Sequence, residues 1–281
     1  MCVFYRAFTG GARPSVKSCS GWKPIRLLPT FGNPCGQGTK YQPRQVSIST
    51  ATTPTKAVPN RDLLLPYFAP YAAYVAIASF AGGLGREVDY LLRIVVTGAL
   101  LLYFRKHYRI RGPESPVISA LIGAAAGVFG VLVWVGLLLP FHDASVGDAY
   151  DIEAFALRLA AATLVVPFAE ELLCRGYILG LVTQWQQERR AGRGSFGDVI
   201  DLRSIHELAP GAWTPLALIV SAAAFALGHS MVQWPAAIAY GLLMAGLWII
   251  RRDLVAPIVA HAVTNLVLYI YVFKTQNWGL W

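Results

Sequence analysis

The sequence predicts an all-α fold, a polytopic bundle of about seven transmembrane helices, and three observations lead there. The 281 residues are 56% hydrophobic and only 14% charged, whereas soluble domains carry about 25% charged residues. Seven apolar runs each approach the ~20 residues that cross a bilayer core. Between them, Lys and Arg recur in alternate loops. No two-residue alternation suited to a membrane barrel is present, so helices are left to satisfy the backbone in lipid.

In chain order, residues 1–61 come first, as a tail. They hold nine of the 24 Lys and Arg and none of the 15 acids. The segment is rich in Ser, Thr, Gly and Pro, has no long apolar run, and is expected to be disordered. It lacks the apolar stretch of a signal peptide. Its basic, Ser-rich, acid-free composition resembles an organellar transit peptide; a start site assigned too far upstream is the blander reading. Without interleaved aromatics or a domain to carry it, the tail is not a nucleic-acid module. Cys2, Cys19 and Cys35 lie here, and with Cys174 they fit neither a zinc knuckle nor a disulfide framework. Cys174 is expected to be a small buried apolar residue.

Residues 62–281 make the membrane domain, with its chemistry concentrated in about 150–275. The apolar runs cover 63–82, 88–104, 117–139, 154–184, 213–230, 233–250 and 254–273. The fourth is the longest and should tilt or protrude. Arg105, Lys106, Arg109 and Arg111 follow the second run; Arg189, Arg190, Arg193 and Arg203 follow the fourth; Arg251 and Arg252 follow the sixth. Pro140–Glu153 has four acids and no Lys or Arg, and His229–Trp234 has no charge. This alternation sets the N-terminus inside and the C-terminus outside. The polar stretch 185–212 is expected to be a mobile cover over a site or a plain solvated loop.

Within the fourth run, PFAEELLCRGYILG puts Glu170, Glu171 and Arg175 where each charge costs roughly 2.5–3.5 kcal/mol at the bilayer centre. Glu171 and Arg175 are spaced i,i+4 and can neutralise each other. Glu170 is turned about 100° away and has no local partner, which suits a proton acceptor. Pro167 should kink the helix just before it, and Gly176 allows a close helix approach. In SAAAFALGHS, Phe225 and His229 are i,i+4, so the ring can pack on the imidazole. The small residues Ala222, Ala223, Ala224, Ala226 and Gly228 admit a neighbouring helix. In APIVAHAVTNLVLYI, His261 and Asn265 share a face and together offer donors for a developing oxyanion. Taken singly, each has a bland explanation: a hydrogen-bonded core His, an Asn between helices, a structural ion pair. Their combination in three successive motifs points to a site.

Those motifs, EELLCR, FALGH and HAVTN, resemble the CPBP family of CAAX prenyl endopeptidases and bacteriocin-processing intramembrane proteases, also called the abortive-infection family. The likeness covers about residues 150–275, and the helices over 63–139 resemble the exosortase-associated, CAAX-protease-related subgroup. The resemblance implies that Glu170 activates a water with help from His229, while His261 and Asn265 stabilise the tetrahedral oxyanion. Glu171, Arg175 and Phe225 would support them. It implies a metal-free glutamate protease or, in the older description of the family, a zinc enzyme using Glu170, His229 and His261. We expect no cofactor, since HExxH is absent and zinc normally takes three or four ligands with an outer shell.

The expected function is thus intramembrane endopeptidase hydrolysis of a membrane-embedded or lipid-anchored protein substrate, with the bilayer as the other partner. A multi-pass protein of the bacterial inner membrane, or alternatively of an organellar membrane, is expected. Two other readings fit buried carboxylates and histidines: a proton- or metal-coupled transporter, and a non-catalytic immunity or scaffold protein. The paired broken-helix repeats of a transporter are missing. One depth mismatch stands out: Glu170 counts to mid-bilayer at ~1.5 Å per residue, while His229 counts toward the outer end of its run.

Overall fold

A computed structural model describes residues 57–141 and 150–280. Residues 1–56, and with them the expected disorder of the tail, lie outside the described residues. Among the described residues there are eight helices and no strands: α1 Asn60–Phe80, α2 Arg86–Phe104, α3 Pro116–Leu138, α4 Ile152–Arg190, α5 Phe196–Leu202, α6 Pro215–Leu227, α7 Trp234–Arg251 and α8 Val255–Thr275. The fold is all-α, as the composition predicts.

Helix starts follow local chemistry. Asp151 accepts from the Ala154 N–H ahead of α4, Thr214 accepts from the Ala217 N–H ahead of α6, and Ser195 and Asp198 cap α5 reciprocally, satisfying orphan donors of each first turn. Pro116, Pro215 and Pro235 occupy first-turn positions of α3, α6 and α7, where a missing N–H costs nothing.

Among the described residues, five helices are long and apolar enough to cross a membrane: α1, α3 (extended to Phe141), α4, α7 (from Met231) and α8. Two apolar runs fall short, each for a visible reason. α2 carries Arg86, Glu87, Asp89 and Arg93 in its first half; Asp89 and Arg93 pair there through two hydrogen bonds, one of 2.9 Å. α6 has only 13 residues.

The basic segments gather at one end of the helices. Leu254 N–H donates to Ile110 O, and Arg109 donates to His206 O. Asn60 is fully buried there: its Nδ2 donates to Gln184 Oε1 (2.8 Å) and Val199 O (2.9 Å), and its Oδ1 accepts from Ile205 N–H (2.6 Å). Asn60 and Arg61 therefore belong to α1 rather than to the tail that composition assigned up to residue 61. These bonds also fix the stretch 185–212 against the basic end, and the structure corrects its reading as a cover over the site.

Close packing comes from small residues. A Cβ at Gly127 of α3 would lie 2.5 Å from Ala260 O of α8, so only glycine lets the two helices meet there. A Cβ at Gly176 would lie 2.8 Å from the Tyr67 ring, the close approach expected at that position. Trp134, Phe225, Tyr240, Met244 and Leu268 form the core between α3, α6, α7 and α8.

Candidate active site

α4 is not a uniform helix. Ala161–Val165 and Leu172–Ile178 are π-helical and bracket the short α-helical piece Val166–Glu171. Such segments are rare and concentrate at functional sites. Val166 N–H donates to Ala161 O, five residues back. In that register the partner of residue 167 would be Ala162 O, but Pro167 has no N–H. Asn265 Nδ2 takes the vacant carbonyl at 2.8 Å. Pro167 thus shifts the backbone register and frees an acceptor that positions a side chain on another helix, beyond the kink expected of it.

Glu171 and Arg175 are fully buried and paired, Nη1 to Oε1 at 3.2 Å. Arg175 Nη2 donates to Gly241 O at 2.8 Å, and its guanidinium lies 4.8 Å from the centre of the Phe225 ring. His261 Nδ1 lies 3.0 Å from the same Glu171 oxygen, and with the carboxylate ionised only the imidazole can donate. The predicted pair is therefore a triad in which Glu171 fixes the tautomer and orientation of His261. Phe225 and Tyr240 set their rings edge-on to His261, each at 5.7 Å. Tyr240 Oη donates to Thr264 Oγ1 (2.9 Å), which donates to Gly127 O (2.8 Å).

Glu170 stands apart from this network. Among the described residues its Oε2 is buried without a hydrogen-bond partner, and His261 Nε2 lies 3.9 Å from it. His229 sits just beyond the end of α6. Its Nδ1 lies 3.0 Å from Phe225 O; a carbonyl only accepts, so Nδ1 carries a proton, and in the neutral ring Nε2 is the acceptor. The rings of Phe225 and Trp134 flank it at 4.8 and 5.2 Å, the Phe225 contact being the one that the i,i+4 spacing predicts.

Glu170, His229, His261 and Asn265 all line one cavity of about 270 Å³. Glu170 and His229 thus line the same cavity despite the depths counted from sequence; the fifth apolar run ends as a helix at Leu227, about 20 Å from its start. Glu171 and Arg175 lie behind the wall and support it. The sequence reading missed Trp134, Tyr240 and Thr264, which also line the cavity. Trp134 has an indole N–H buried without a partner; a lone polar tip within an apolar run is its only trace in the sequence.

A zinc set of Glu170, His229 and His261 does not fit as placed. Among the described residues no group of three or more His, Cys, Asp or Glu side chains is gathered closely enough to hold an ion, although both imidazoles have the Nδ1 partner that a ligating His needs.

No curated protein and no solved structure gives a significant match to the chain. Residues 152–267 match the family model described as type II CAAX prenyl endopeptidase Rce1-like, a span that contains Glu170, Glu171, Arg175, Phe225, His229, His261 and Asn265. The chain is an integral membrane protein whose residues 152–267 are similar to the Rce1-like type II CAAX prenyl endopeptidases.

Proposed function

We propose that the protein is an intramembrane endopeptidase in which Glu170 is the general base. The observation that carries this reading is the convergence of Glu170, His229, His261 and Asn265 on one cavity, with one Glu170 oxygen buried and unsatisfied. A water hydrogen-bonded between Glu170 and the free Nε2 of His229 would be aligned for attack on a peptide carbonyl. Glu170 takes its proton and passes it to the leaving amine, a step in the 10²–10⁴-fold range for general acid–base catalysis. Asn265 spends one amide hydrogen on Ala162 O and keeps the other for the oxyanion. His261 can donate from Nε2 only when the ring carries both protons, because Nδ1–H is held by Glu171; the two flanking carboxylates supply the countercharge.

The substrate class is a membrane-embedded or lipid-anchored protein. The reaction is written without a metal, and activity retained after extensive chelation checks that. Cleavage of lipidated peptides in proteoliposomes, lost in Glu170→Gln and His229→Ala with folding intact, is the expected result. Cleavage by Glu170→Gln at the wild-type rate would refute the mechanism, and solute flux without cleavage would favour transport. We also propose seven crossings with the basic end inside. The bacterial inner membrane is the proposed location; an organellar one is the alternative, and a fluorescent fusion of residues 1–61 distinguishes them. The exosortase-associated subgroup is the finer family proposal, and a genomic neighbourhood without an exosortase counts against it.

A further inference from the structure

A second cavity, of about 80 Å³, lies at the basic end, apart from the catalytic one. That is several times the 10–15 Å³ one water needs. Three segments distant in sequence, the one after α2, the one before α6 and the end of α7, meet there against α1 and α4. Arg109, Arg111 and Arg252 are among its lining residues, and no Asp or Glu is. Arg109 is tied to His206 O and Arg252 to Glu114, which lies outside the lining. Arg111 is exposed and, among the described residues, has neither a hydrogen bond nor an ion pair. Trp248, also in the wall, has its indole N–H buried without a partner among the described residues. His206 and Tyr67 complete the polar lining, Tyr67 Oη lying 3.2 Å from His206 Nε2. Burial first, then the charges of Arg109 and His107, push the pKa of His206 down to about 4, so it is neutral at physiological pH and the local charge comes from the guanidiniums.

A pocket with three guanidiniums, a spare N–H donor and no acid matches a tetrahedral, multiply accepting anion. Its place at the basic end, between α1 and α7, is that of a headgroup pocket on the cytoplasmic side of a membrane protein. The geometry points to a phosphate-binding site at this cavity, the phosphate being carried by an anionic lipid headgroup or by a free phosphate compound. It is separate from the catalytic cavity and does not depend on the proposed reaction.

Thermal unfolding of the purified full-length protein in detergent tests it, titrated with dioctanoyl phosphatidylglycerol, inorganic phosphate or dioctanoylglycerol. A saturable rise in Tm with the phosphatidylglycerol alone supports a lipid headgroup; a rise with inorganic phosphate as well supports a general phosphate site. Both require no rise with dioctanoylglycerol. Arg111→Gln, which removes no hydrogen bond or ion pair among the described residues, is expected to weaken the apparent affinity at least tenfold. Trp248→Phe keeps the ring, loses the N–H and should weaken it several-fold. Binding unchanged in both variants, a response equal for dioctanoylglycerol, or no response to either phosphate ligand overturns the site.

Discussion

Glu171 divides one oxygen between Arg175 and His261 while its other oxygen is buried and unsatisfied. A carboxylate placed in this way is committed to holding its neighbours, and removing a partner leaves a bare buried charge. Arg175→Ala should therefore destabilise the protein by about 3–5 kcal/mol, read by thermal or denaturant unfolding. Glu170→Gln should leave unfolding within about 0.5 kcal/mol of wild type while lowering kcat by roughly 10²–10⁴. The contrast is the check, because a purely structural role for Glu170 predicts a loss of stability in Glu170→Gln as well. This division was legible in the sequence: i,i+4 spacing pairs Glu171 with Arg175 and leaves Glu170 over. The bond from His261 to Glu171 was not, because it joins side chains 90 residues apart and no local pattern encodes it.

At the scale of elements, the apolar runs mark most helix ends closely, since a change from apolar to charged residues stops a helix in lipid. α6 is the exception. Apolar residues continue past Leu227 as Met231 and Val232, so composition hides the turn that carries His229. The π segments of α4 are hidden for another reason: Pro167 signals a disturbed helix, but which register replaces it depends on Asn265 of α8. Pro167→Ala restores an N–H that competes with Asn265 for Ala162 O. The variant should fold at least as stably, hold KM nearly constant and lose kcat by ~10–100-fold, within the range that misplacement of a catalytic group produces. Unchanged kcat would show that the proline does not position Asn265.

For the whole molecule, the meeting of three basic segments at one end is the physical content of the alternating-charge rule read from the loops. Ser195→Cys should be labelled by a membrane-impermeant maleimide only from the cytoplasmic side, and Gln233→Cys only from the opposite side; reversed labelling would invert the topology. The same end carries an acid-sensitive point. His206 has a folded pKa near 4, with burial the largest cause and Arg109 and His107 adding to it, against about 6.5 in the unfolded chain. Between those values the unfolded chain binds the extra proton, so stability is greatest above pH 6.5 and falls as pH drops toward 4. His206→Gln should flatten the fall in Tm between pH 7 and 5. The shortness of α6 has a consequence for the membrane itself. Its outward residues Ile219 and Leu227 are exposed, yet the helix spans about 20 Å of a hydrocarbon layer near 30 Å. Lipid beside it must dimple to cover that mismatch, bringing water and headgroups down toward the level of His229. Turnover should accordingly rise in nanodiscs of shorter acyl chains, where the dimple costs less to form; equal rates across chain lengths would show that no such thinning assists the reaction.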